Sequence, residues 1–305
     1  MEYASRHSVC ATISKNPLID CPASLLKARK GEALPLRNIL KAERVSSIML
    51  RRASTIKPRI CSVLVDGQPV RYEVIGKGEP VIMVHGLCGS TRWWSCNINE
   101  LAQRYRLYLL DLPGFGAMNR APGGFKLAET AHWLLKWMQG VGIQKAHFVG
   151  HSMGGHICLQ LAALRPEMVE RLVLVSPAVM LPTRPIASFI WPLLLSTRSL
   201  TLSFFMIVCY DTLRAGPITL LRALQDLMVA QHTSLDFQAI TAPTLLIWGE
   251  HDAQVPAMIG PLLCQRLSDA RLLIIKRAGH TCMAKQAKQF NAAVLAFLAG
   301  QVVGD

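Results

Sequence analysis

Gly150-His151-Ser152-Met153-Gly154 reads G-x-S-x-G, and its flanks give the motif a setting. Ala146-His147-Phe148-Val149 before it is the apolar run of a buried strand. Gly155 to Leu164 after it has a helical pattern. A strand that turns straight into a helix makes a tight, strained turn, and only small residues fit beside it. Glycines at 150 and 154 meet that demand, so the Ser152 hydroxyl is expected at the carboxyl end of the strand, within reach of a substrate. The five-residue pattern recurs by chance in unrelated chains, and the rest of the sequence has to support it.

Outward from the motif, short apolar runs alternate with helical stretches from about residue 60 onward. Ile60 to Val65, the turn Asp66-Gly67-Gln68-Pro69 and Val70 to Ile75 predict a β-hairpin. Val81 to Val84, Leu107 to Leu110, Ala146 to Val149, Leu172 to Val175, Thr244 to Trp248 and Leu272 to Ile275 predict strands buried on both faces. Helical patterns fall at about 93–103, 128–140, 155–165, 257–267 and 285–299. Such alternation predicts βαβ units and a three-layer α/β sandwich around a mostly parallel sheet, with ligands at the carboxyl ends of the strands. The stretch 178–238 breaks the alternation. It is apolar and helical, with no good strand, and reads as a helical cap or lid inserted into a core of residues 59–177 and 239–300.

A serine needs a base, a group to orient the base, and donors for the oxyanion. Asp252, in Gly249-Glu250-His251-Asp252 just past a predicted strand, is the acid candidate; Glu250 and His251 compete with it, and capping of a helix near Pro256 is its bland reading. His280, in Ala278-Gly279-His280 after the next strand, is the base candidate and follows both Ser152 and Asp252 in the chain. The backbone N–H of Met153, at the first turn of a helix, is one expected oxyanion donor. Leu87 N–H, in the loop His85-Gly86-Leu87-Cys88-Gly89-Ser90, is the other. His85 reads as a loop-packing residue near the substrate. Cys88 and His151 are expected beside the nucleophile, and Trp191, Phe204 and Phe205 of the insertion are candidate walls of an apolar substrate pocket.

Together these motifs, with Asp111-Leu112-Pro113-Gly114-Phe115-Gly116, resemble the α/β-hydrolase superfamily over residues from about 60 to 300. The resemblance implies a triad of Ser152, Asp252 and His280. It also implies an eight-stranded, mostly parallel sheet with a cap after the sixth strand. Serine at 152 separates the chain from the epoxide hydrolase and haloalkane dehalogenase branches, which carry aspartate there. Esterases, lipases, C–C hydrolases, lactonases and cofactor-free haloperoxidases remain. The run Thr281-Cys282-Met283-Ala284-Lys285-Gln286-Ala287-Lys288 is more basic and less bulky than many relatives show after the histidine. The expected activity is hydrolysis of a small apolar ester or related acyl substrate, with no cofactor and no metal. The alternative is a non-catalytic binding protein for a hydrophobic ligand on the same scaffold.

Composition bounds the rest. The 305 residues are 51% hydrophobic, enough for a sizeable core. Net charge is +14, and residues 1–60 hold twelve Lys/Arg against four Asp/Glu. Residues 1–58 therefore read as a basic extension, partly disordered or helical, with Asn38 to Ala53 in approximate helical register. Weak contact with a membrane surface and a transit peptide are the alternatives. Nucleic-acid binding is not expected, because no aromatic residues interleave the basic run and no recognition module is present. Nine cysteines without C-x-x-C spacing, and no secretory signal at the start, point to reduced thiols and a cytoplasmic setting.

Overall fold

The alternating runs build one eight-stranded sheet in the order β1-β2-β4-β3-β5-β6-β7-β8. Its strands are β1 (Arg59–Val65), β2 (Gln68–Ile75), β3 (Pro80–Val84), β4 (Arg106–Leu110), β5 (Ala146–His151), β6 (Val169–Val175), β7 (Thr244–Gly249) and β8 (Ala270–Ile275). β1 and β2 run antiparallel at one edge, and all pairs from β4 to β8 are parallel. The chain is seen in a computed structural model that describes residues 56–121, 124–180, 200–230 and 235–303. The extension with Asn38 to Ala53, part of the insertion and Trp191 lie outside the described residues.

The hairpin turn is tighter than expected. Asp66 and Gly67 alone form it, with φ of 49° and 77°, the two positive angles that match the twist of the flanking strands. Gln68 and Pro69 join β2 instead, Pro69 opposite Leu64 near the end of an edge ladder where its missing N–H costs little. The parallel strands feed two apolar layers through their two faces. Ile82, Phe148, Leu172 and Leu246 point to one layer, and Val81, Val149, Val173 and Leu245 to the other.

Helices α1 (Ile98–Leu101), α2 (Leu127–Val141), α3 (Met153–Leu164), α4 (Leu202–Ala230), α5 (Ile259–Cys264), α6 (Cys282–Lys285) and α7 (Ala287–Leu298) flank the sheet. The expected helix over 93–103 is instead a 3-10 turn, Thr91–Trp94, followed by the single turn α1. Asn97 lies between them, with its amide spent on Met283 O at 2.9 Å and Asn291 Oδ1 at 2.7 Å. α5 is also shorter than the pattern over 257–267, and Pro256 and Pro261 withhold backbone donors at its start.

α4 is the described part of the insertion between β6 and β7. It kinks at Gly216 (φ 75°, ψ 158°), ahead of Pro217. By length and composition it could cross a membrane. Here its inner face, with Phe204, Ile207, Ala215, Ala223 and Leu227, is buried. The helix is also pinned to segments that follow β4: Asn119 Nδ2 donates to Arg214 O at 3.2 Å, and Leu127 N to Asp226 Oδ2 at 3.0 Å. α4 thus lies on the side of the sheet where the strands end.

Candidate active site

Ser152 sits between β5 and α3 with φ 51° and ψ −114°, a conformation that non-glycine residues rarely adopt. Backbone bonds over-determine it. Its N–H donates to Val175 O at 2.9 Å, and its carbonyl accepts from His156 N at 3.1 Å and Ala178 N at 3.0 Å. The neighbouring backbone comes very close. A side chain at Gly154 would begin 2.3 Å from Val84 O, and one at Gly86 would begin 2.8 Å from His151 Nδ1. The two glycines therefore let the elbow and the loop after β3 press together.

Asp252 follows β7 and splits its carboxylate between two tasks. Oδ2 accepts from His280 Nδ1 at 2.8 Å. Oδ1 accepts from the N–H groups of Gln254 and Val255, both at 2.9 Å. Capping of the following turn and the bond to the His280 ring thus coexist on one side chain. Burial opposes its charge, but the His280 ring and the hydrogen bonds outweigh it, so the carboxyl stays below the usual Asp range. Its sequence neighbours face elsewhere: Glu250 Oε2 accepts from Arg277 N at 3.0 Å, and the His251 side chain is 70% exposed.

His280, after β8, is buried. Its Nδ1–H serves Asp252, which leaves Nε2 as the basic nitrogen. Among the described residues no hydrogen bond joins its ring to the Ser152 hydroxyl, a bond that often forms only with substrate in place. The link between the elbow and the His280 loop is His151. Its Nε2–H donates to the His280 carbonyl at 3.0 Å, and the two rings lie 4.7 Å apart. Burial, reinforced by His280, pushes the His151 pKa down to about 3, so the ring stays neutral.

The N–H groups of Met153 and Leu87 have no hydrogen-bond partner among the described residues. Met153 N–H opens α3, where the helix dipole favours negative charge. His85 braces the loop: its Nε2 accepts from Leu112 N at 3.0 Å and its Nδ1–H donates to Gly86 O at 2.9 Å. Both ring nitrogens are occupied, and burial lowers its pKa. Cys88 is buried with φ 61°, and burial raises its thiol to about 11, which makes a poor nucleophile. Phe204 is buried against Trp93 at 5.7 Å, while Phe205 is half-buried. No cluster of three or more His, Cys, Asp or Glu fit to hold a metal occurs among the described residues.

Sequence reasoning missed a polar network on the cap-facing side. Asp211 of α4 is a buried carboxylate that accepts from Ser90 Oγ at 2.6 Å and pairs with the Arg92 guanidinium. Beside it, Asp111 accepts from Thr91 N and Ala117 N, each at 2.7 Å. Trp93 lies between Phe204 and His151, the latter at 5.5 Å. A carboxylate in the middle of an apolar helix was the available signal, since such a group needs a partner.

Residues 79–205 match the family model described as alpha/beta hydrolase fold, and residues 226–302 one described as TAP-like protein. The chain is 30% identical over 254 residues to a protein of Yersinia enterocolitica provisionally named carbamate hydrolase RutD. The match covers 74% of this chain and 91% of that one. It is also 30% identical over 267 residues to the 2-hydroxy-6-oxononadienedioate/2-hydroxy-6-oxononatrienedioate hydrolase of Paraburkholderia xenovorans, covering 77% and 92%. Among solved structures, carboxylesterase CesB of Bacillus subtilis superposes with a TM-score of 0.66 at 20% identity, over 86% of this chain and 99% of that one. At that identity the likeness speaks for the fold.

Proposed function

Because the chain belongs to the alpha/beta-hydrolase fold family and is a hydrolase, we propose that Ser152 is its nucleophile, His280 the general base and Asp252 the residue that orients it. The observation that carries this reading is the buried His280–Asp252 pair, 2.8 Å apart, tied through His151 to the strained turn at Ser152. In the proposed cycle Ser152 Oγ attacks the carbonyl carbon of a small apolar ester or related acyl substrate as its proton passes to His280 Nε2. The oxyanion accepts from Met153 N–H and Leu87 N–H. His280 then protonates the leaving group, and water, deprotonated by the same nitrogen, releases the acyl-enzyme. Asp252 stays ionised throughout and stabilises the imidazolium.

The names of the relatives widen the set of bonds to be assayed to carbamates and to C–C bonds next to a carbonyl. All three bond types present a carbonyl carbon to the same nucleophile. The helical insertion, with α4 over the strand ends, acts in this proposal as a cap that supplies the apolar wall. The seven cysteines among the described residues are free thiols, and we assign the protein to a reducing, cytoplasmic setting. The test is fluorophosphonate labelling together with burst kinetics on p-nitrophenyl butyrate. Labelling confined to Ser152 and lost in Ser152→Ala is expected. A folded wild-type protein that is not labelled at Ser152 overturns the assignment.

A further inference from the structure

The loop that carries Leu87 is held at both ends, and by different parts of the molecule. At its start, Gly86 is pressed against the elbow, close enough that a side chain there would begin 3.1 Å from Ser152 Cβ. At its end, Ser90 is held by α4. Ser90 Oγ donates to Asp211 Oδ2 at 2.6 Å and accepts from Arg92 N and Arg92 Nε, both at 3.3 Å. Arg92 in turn pairs with Asp211 Oδ1 and stacks on the Tyr210 ring at 4.5 Å. The Asp211 side chain is fully buried, while that of Arg92 is 21% exposed. Only two residues, Cys88 and Gly89, separate Leu87 from Ser90.

An apolar helix needs no charge to rest on an apolar surface. A buried ion pair costs desolvation, and replacing such a pair with packed apolar groups is often neutral or stabilising. What the pair adds is direction, because both carboxylate oxygens have fixed partners on the segment that follows the loop. Oxyanion donors work through position, and a displacement of a fraction of an ångström weakens them in the transition state.

We infer that Asp211 is a positioning residue: through Ser90 and Arg92 it makes α4 set the placement of the Leu87 N–H relative to Ser152. The insertion then helps to shape the catalytic centre as well as covering it. This inference rests on the function proposed above.

The experiment compares Asp211→Asn, Ser90→Ala and Ser90→Thr with the full-length wild type on p-nitrophenyl butyrate and a fluorophosphonate, whose phosphoryl oxygen draws on the same two donors. Asp211→Asn should lower kcat by about 10- to 100-fold, less than outright loss of an oxyanion donor, with KM within about threefold. The rate of Ser152 labelling should fall by a similar factor. Ser90→Ala should show the same pattern at about 3- to 10-fold, and Ser90→Thr, which keeps the hydroxyl, should recover most of it. A folded Asp211→Asn whose kcat and labelling rate match the wild type overturns the inference, as does one that changes KM alone. Should Asp211→Asn fail to fold, the contrast between Ser90→Ala and Ser90→Thr decides the matter by the same criteria. Absence of labelling in the wild type would instead strike the function proposed above.

Discussion

The candidate site has two sides that are built differently. On the strand-end side, Ser152, Asp252 and His280 stand on loops leaving β5, β7 and β8, strands of the parallel part of the sheet whose backbones fix each loop's start. On the cap-facing side, Ser90, Arg92 and Asp211 meet across a long sequence separation and are joined through side chains, by one ion pair and the hydrogen bonds of the Ser90 hydroxyl. The first side owes its geometry to backbone ladders, which tolerate side-chain change. The second owes it to one carboxylate. Function should therefore be lost without stability on the strand-end side, and the two should be lost together on the cap-facing side.

Four measurements sharpen or break that contrast. The largest effect is expected for Ser152→Ala: kcat should fall by about 10⁴- to 10⁶-fold, with the melting temperature nearly unchanged because the backbone alone bonds the turn. A large loss of stability would show that the hydroxyl is structural. Next comes Asp252→Asn, which should cost about 10⁴-fold in kcat by favouring the wrong His280 tautomer. Near-wild-type turnover in the variant would argue that another carboxylate serves.

Gly86→Ala sits at the join of the two sides. Its new methyl would lie 2.8 Å from His151 Nδ1, so the loop has to retreat from the elbow. A loss of about 100-fold in kcat is expected, comparable to losing one oxyanion donor, and near-wild-type turnover would separate Leu87 from the chemistry.

The fourth measurement reads stability against pH. Burial lowers the pKa of His151 to about 3 and that of His156 to about 4. Between these values and the ordinary value near 6.5, the unfolded chain binds protons that the fold refuses. Stability is therefore full above pH 6.5 and declines below it, by up to about 1.4 kcal/mol per pH unit for each such histidine. Chemical denaturation from pH 7 to pH 4 should show this slope, and His156→Asn should flatten part of it. A stability that rises on acidification would refute the assignment.

The strand-end side was largely legible in the sequence. Ser152, Asp252 and His280 each follow an apolar run, and the loops that carry them leave β5, β7 and β8 at the same end of the sheet. Legibility failed where a contact depends on what the chain meets far away. Asp211 looks like one acid in an apolar stretch until Ser90 and Arg92, about 120 residues earlier, are brought to it. The stretch 93–103 reads as one helix because its apolar spacing is helical. The buried bonds of Asn97 to Met283 and Asn291, which break it, are invisible to any local window. From the sequence, His151 is expected only beside the nucleophile. Its neighbour in space, the His280 carbonyl, lies 129 residues on and makes it a strut between elbow and base.

The pressed contact between Gly86 and the elbow has a bearing on how this molecule can be retailored. A contact this close leaves no room for a side chain at position 86, so that part of the wall formed by the loop after β3 is closed to gradual change. The opposite wall is α4, where side chains and one kink do the shaping. Directed libraries for a new substrate, and natural divergence among descendants of this chain, would then concentrate on α4 while Gly86 and Gly154 stay as they are.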